Sequence, residues 1–134
     1  MADLKHSDLR NMIREELKDI KYHPEVIGEI VDLVIGSGNE KHFFKLFYKR
    51  LEQIKALKQR VTQLKEFEKL TDYPNLYSMH LSSKSFNLRI LYSYNDKDEL
   101  LLHCFYEREG KTATNYVTHA PIAVQRMKEM EEWL

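Results

Sequence analysis

The sequence predicts an α+β fold, with helices first, then strands, then a closing helix. Three observations carry this. Apolar residues recur every three or four positions up to about residue 70. After Thr71-Asp72-Tyr73-Pro74 the apolar period changes to two, the period of strands. From Pro121 the helical period returns. The chain has 134 residues, enough for one ordinary domain and too few for two sizeable cores.

Each element has its own signal. Ser7 is placed to cap a first helix, whose apolar face is Leu9, Met12, Ile13, Leu17 and Ile20. Tyr22-His23-Pro24 ends it, because the residue before a proline avoids the helical region. Pro24 suits a first helical position, and Val26, Ile27, Ile30, Val31 and Val34 mark a second helix. Gly36-Ser37-Gly38 is the only glycine-rich turn and reads as a linker between a helical extension, residues 1–38, and a main domain, residues 39–134. Asn39 can cap the next helical region, whose stripe is Phe43, Phe44, Phe47, Leu51, Ile54, Leu57, Val61 and Leu64. That run to Leu70 is long for one helix, so a helical hairpin kinked near residues 58–62 is expected. Leu76–Leu81 and Phe86–Tyr94 then read as strands, joined so that Tyr77, Met79 and Leu81 face Ile90, Leu88 and Phe86. Asn95-Asp96-Lys97-Asp98 is a polar turn, and Glu99–Tyr106 is a nearly continuous apolar run, as expected of a central strand. Residues 107–118 read as a polar loop, and Pro121 as the start of a helix carrying Ile122, Ala123, Met127, Met130 and Trp133.

Apolar residues make up 43% and charged residues 31%, a globular balance. Lys+Arg and Asp+Glu both number 21, which argues against a uniformly basic nucleic-acid binder. The zero total hides segregation: residues 1–40 carry a net −4, residues 41–111 a net +5 and residues 112–134 a net −1. Solvated helix faces account for such a pattern, and so does a basic working surface beside an acidic appendage. The single cysteine, Cys104, excludes an intramolecular disulfide framework and a multi-cysteine zinc site, and fits a reducing compartment. No apolar run approaches the ~20 residues of a membrane span, and MADLKHSDLR has no signal-peptide core. A cytoplasmic protein is expected.

One face of the strand pair concentrates chemistry. With Phe86, Leu88, Ile90 and Tyr92 pointing to the core, Ser78, His80, Asn87 and Arg89 share the opposite face. Polar residues on an outer face are commonly just solvated. Here Arg89 is a permanent cation in mid-strand, and the next strand leads into Arg108 and Lys111, so the face also suits a phosphate backbone. A histidine such as His80 is the side chain that most readily moves protons in neutral solution. The other signals are weaker. The six histidines show no metal-ligand spacing. His103 and Cys104 are adjacent, so they fall on opposite faces of a strand and Cys104 reads as core. The glycine turn lacks the strand and lysine of a phosphate loop. Tyr92 and Tyr94 read as core aromatics.

The stretches FEKLTDYPNLYSMHL, FNLRILYSY, LLLHCFYEREGKTATNY and APIAVQRMKEM resemble the RelE/ParE superfamily of bacterial toxins, in its HigB-like, phage Gp49-related branch. The resemblance covers about residues 43–134, and the order and spacing of the pieces carry it. It implies a helical hairpin on a small twisted antiparallel sheet with a C-terminal helix. It also implies the toxin of a type II toxin–antitoxin module, bacterial or phage. Many members cleave mRNA in the ribosomal A site; others poison DNA gyrase without being enzymes, and a degenerate regulatory domain is a third outcome. The implied partners are the ribosome, mRNA and a cognate antitoxin, a helix-turn-helix protein that holds the toxin in a hetero-oligomer.

By that resemblance Arg89 and Arg108 bind the scissile phosphate, His80 moves the 2′-hydroxyl proton, and Tyr116 stacks on a base or orients the leaving group. Lys84, Lys111, Ser78 and Asn87 would contact RNA. Neither cofactor nor metal is implied, because the attacking hydroxyl belongs to the RNA. The chain departs from the family at two places. Ser78 and His80 stand where several members carry lysines, and Glu107-Arg108 stands where HigB-like members often have a lysine pair.

Overall fold

In the computed structural model, which describes residues 5–84, 86–95, 98–107 and 112–133, four α-helices surround one five-stranded mixed sheet, an α+β arrangement. Helix α1 spans His6–Glu16, strand β1 Lys21–Tyr22, helix α2 Pro24–Val34 and helix α3 Glu40–Leu57. Strands β2 (Phe67–Lys69), β3 (Tyr77–Ser82), β4 (Asn87–Asn95) and β5 (Asp98–Tyr106) follow, and helix α4 (Thr112–Trp133) closes the chain. The strand order is β1-β5-β4-β3-β2. Every pair is antiparallel except β1 with β5, where Lys21 and Tyr22 run parallel to Leu100 and Leu101.

The helix starts follow local chemistry. The cap of α1 is Lys5, two residues before Ser7; its backbone N–H donates to the Asp8 carboxylate at 3.3 Å, which fixes the first turn earlier. Pro24 does open α2, and the His23 ring caps it by accepting the Glu25 N–H at 3.2 Å. Gly36 and Gly38 both take positive φ (76° and 79°), the left-handed region that glycine enters without strain. Asn39 precedes α3 as expected, although its side chain turns back to the Ser37 carbonyl rather than capping.

The kinked hairpin expected to Leu70 is not formed. Lys58 takes φ 53°, the chain tightens into a 3₁₀ turn over Lys58–Gln63, and Phe67–Lys69 is strand. Phe67 pairs with Met79 and enters the same core as the helical stripe, so its apolar character served a sheet instead. The hairpin register also differs. Tyr77, Met79 and Leu81 face Tyr92, Ile90 and Leu88, because the turn closes through Ser83 N–H to the Phe86 carbonyl at 2.8 Å. That is a shift of two residues, which leaves every side chain on the face expected for it.

The last correction concerns α4, which begins at Thr112 and carries Pro121 in its interior. A proline there removes the donor for the carbonyl four residues back, on Val117. Val117 is well exposed, so water can take over that bond.

Both faces of the sheet are covered. On one, Leu9, Ile13, Leu17, Ile27, Ile30 and Val31 join Phe43, Phe47, Leu51 and Ile54 against Met79, Leu81, Leu88, Ile90, Tyr92 and Cys104. On the other, Ala120, Ala123 and Met130 of α4 pack on Leu70, Leu76, Leu91, Leu102 and Phe105. The division at residue 38 is therefore a turn in the chain, with no gap in the packing: residues of 1–38 supply an edge strand and a large share of the first core.

Candidate active site

β3 and β4 bring Ser78, His80, Asn87 and Arg89 onto the α4 face of the sheet, with His80 directly opposite Arg89 and Ser82 opposite Asn87. The organiser of this face is Glu107, just beyond β5, whose residue is 4% exposed. Its N–H donates to the Asn87 carbonyl at 2.8 Å, and the Asn87 amide donates back to the Glu107 carbonyl at 3.1 Å. One carboxylate oxygen meets Arg89 Nε at 2.9 Å and the other meets His80 Nε2 at 3.2 Å.

These contacts assign the histidine tautomer. His80 Nε2 faces two acceptors, the Glu107 carboxylate and the Asn87 side-chain oxygen at 2.5 Å. The orientation of the Asn87 amide follows from its donation to the Glu107 carbonyl. In the neutral ring the proton therefore belongs on Nε2, which leaves the lone pair on Nδ1. A second support lies behind the strand. Arg50, buried in α3, donates from Nε to the His80 carbonyl at 3.0 Å, and its guanidinium lies 4.0 Å from Glu66. Burial lowers the Arg50 pKa from its usual value, and the Glu66 charge opposes that shift.

Arg89 is held from three further sides. Its Nη1 donates to Ser78 Oγ at 3.3 Å and lies 3.7 Å from a Glu68 carboxylate oxygen on β2. The Tyr116 ring of α4 lies 5.7 Å from the guanidinium carbon, within cation–π range. The Tyr116 hydroxyl donates to Glu68. Burial and that acceptor push the phenol pKa well above its usual range, so Tyr116 stays a proton donor, although Arg89 and Ser78 pull the other way.

Five of the residues expected from sequence, Ser78, His80, Asn87, Arg89 and Tyr116, thus converge in one network. Lys84 is exposed in the β3–β4 connection. Arg108 and Lys111 lie outside the described residues. Three participants were not expected. Glu68 falls in a stretch that reads as helix, and Glu107 sits at a strand end where nothing marks its direction. Arg50 had a legible signal: it lies three residues after Phe47 and four before Ile54, inside the apolar stripe.

A separate network closes the sheet edge that β1 leaves uncovered. Glu29 of α2 accepts the Cys104 N–H at 3.0 Å, and Arg126 of α4 donates to the Leu102 carbonyl at 3.0 Å. Glu29 also binds Arg126 and His103, each at 2.8 Å, and His103 bonds His119 at 2.8 Å. Burial alone would raise the Glu29 pKa, but these partners bring it down to about 2. The buried Cys104 thiol is pushed well above its usual value, first by burial and then by Glu29, which makes it an inert core group.

No helix among the described residues is long and apolar enough to cross a membrane. Comparison with protein-family models, with curated proteins and with solved structures returns no match.

Proposed function

We propose that this protein is the toxin of a type II toxin–antitoxin module, a cytoplasmic, ribosome-dependent mRNA endoribonuclease of RelE/ParE type. The observation that supports it is the convergence of Arg89, His80 and Tyr116 around Glu107 and Glu68 on one sheet face. The parts suit RNA cleavage by the substrate's own 2′-hydroxyl. His80 Nδ1 takes the hydroxyl proton while Glu107 holds the ring and offsets its new charge. The O2′–phosphorus bond forms, the phosphorus–O5′ bond breaks, and the leaving oxygen takes a proton from water. The products are a 2′,3′-cyclic phosphate and a 5′-hydroxyl. Arg89 offsets charge on the phosphoryl oxygens at the transition state. The implied partners remain the ribosome, mRNA and a helix-turn-helix antitoxin.

One observation favours the second reading, a toxin-like domain without catalysis that binds a protein such as gyrase or serves regulation. Arg89 already faces two carboxylates, and a phosphate must compete with them. Induced expression without a partner separates the readings. The enzyme reading expects growth arrest, protein synthesis falling before replication, and cleaved mRNA on ribosomes. Intact mRNA with replication failing first would overturn it in favour of gyrase.

A further inference from the structure

Beside the catalytic cluster, β2, the β2–β3 connection and α4 line an open cavity of about 180 Å³. Glu68 and Tyr116 line it and so join it to the Arg89 network; Asp72 and Tyr73 line it from the β2–β3 connection. A second depression of about 380 Å³ lies along the same connection and shares Lys69 and Tyr73. The first volume is below the ~300 Å³ at which sites for drug-sized ligands begin, so it admits one ring system with the rest of the ligand outside.

The connection is preformed. Leu70 N–H donates to the Leu76 carbonyl at 2.9 Å, and Asn75, in the left-handed region at φ 59°, pairs with the Tyr94 backbone in both directions, at 2.6 and 3.3 Å. Tyr73 and Tyr116 each pack one side on the α4-side core while lining the cavity. Two aromatic walls and the exposed Asp72 carboxylate are chemistry that receives an unpaired nucleobase: rings stack, and a carboxylate accepts from amino groups on the base edge.

We infer that this cavity binds the base of a single-stranded RNA nucleotide next to the scissile phosphate, and that it selects bases bearing an exocyclic amino group over uracil. The inference rests on the endoribonuclease reading, and it names a specificity element for the same site. Tyr73 supplies the stacking surface and Asp72 the edge acceptor.

The test uses the full chain with short end-labelled single-stranded oligonucleotides, oligo(A), oligo(C) and oligo(U), followed by fluorescence anisotropy of the label in the absence of ribosomes. Oligo(A) and oligo(C) should bind more tightly than oligo(U). Tyr73→Ala should weaken oligo(A) binding about tenfold, within the range for loss of one stacked base, while Tyr73→Phe retains it. Asp72→Asn should erase the preference against uracil and keep binding. Both positions are at the surface or half-buried in a loop, and thermal melts check that the variants fold. Equal affinity for all three oligonucleotides, or unchanged binding by Tyr73→Ala, overturns the inference. The parent reading fails differently: base-selective binding without mRNA cleavage on ribosomes removes the enzyme and leaves the pocket. Cleavage with an unaltered codon preference in Tyr73→Ala removes the pocket and leaves the enzyme.

Discussion

Arg89 illustrates how one side chain serves the fold and the site together. It is a mid-strand cation whose side chain is 13% exposed, paired with a Glu107 carboxylate that is 5% exposed. Removing one partner of such a pair leaves a buried charge, typically at a cost of about 3–5 kcal/mol. Arg89→Ala is therefore expected to lower thermal stability as well as abolish toxicity, whereas Arg89→Lys keeps the charge, melts near wild type and recovers part of the activity. A melt and a growth assay on both variants separate the two effects; an Arg89→Lys protein as toxic as wild type would show that guanidinium geometry is not used. Glu68 makes the complementary case. It is half exposed, 3.7 Å from Arg89, and so the more accessible of the two carboxylates on that guanidinium. Glu68→Gln should free Arg89 and increase RNA affinity and cleavage. A loss of cleavage with intact folding would instead give Glu68 a part in the chemistry.

At the scale of elements, the junction of α2, β5 and α4 carries the acid sensitivity. The Glu29 carboxyl lies at about 2 in the fold against an ordinary 4.5. A lowered acid contributes stability that is complete above 4.5 and is lost as pH falls from there toward 2, about 3 kcal/mol in all. His119 acts in the same direction at milder pH. Burial and the neighbouring His103 lower its pKa from an ordinary 6.5, so protonation favours unfolding and stability begins to fall below 6.5. Melting temperatures of wild type and Glu29→Gln between pH 7 and 3 check this: the variant should start less stable and show a flatter loss below 4.5. Helix α4 offers a second test. Pro121 is exposed within the helix and deprives the Val117 carbonyl of its intrahelical donor. Pro121→Ala should raise stability by about 1–3 kcal/mol, read as a higher melting temperature, unless the proline sets a bend that the packing of Ala120 and Ala123 needs.

For the whole molecule, the question is whether residues 1–38 can be removed. Leu9, Ile13 and Leu17 of the first helical segment and Val26, Ile27, Ile30, Val31 and Val34 of α2 are buried in the same cluster as the sheet. Deleting 1–38 would expose that face of the sheet and free the edge of β5 that β1 and Glu29 cover. The truncated chain should be insoluble or molten, by circular dichroism and by aggregation. A truncated chain that folds would make the segment an appendage after all. Residues 1–40, with their acidic excess, and residues 41–111, with their basic excess, then share one body, and Lys21 of the first pairs with Asp98 of the second at 2.8 Å, against the sense of the two excesses.

The α+β class, the apolar stripes of α2 and α3, the strands β3 to β5 and the grouping of Ser78, His80, Asn87 and Arg89 were legible in the sequence, because they depend on periods of 3.6 and 2 that side chains obey locally. A register error of two residues did not disturb that grouping, since parity alone sets the face. The tertiary structure decided what no local period encodes. It turned Phe67–Lys69 from helix to strand because β3 offered a partner and the core a place for Phe67. It carried α4 through Pro121 because Val117 faces water. It also aimed Glu68 and Glu107 at Arg89 from opposite sides, a convergence of residues 39 positions apart in the chain that only the packing of β2 and β5 on the same sheet can produce.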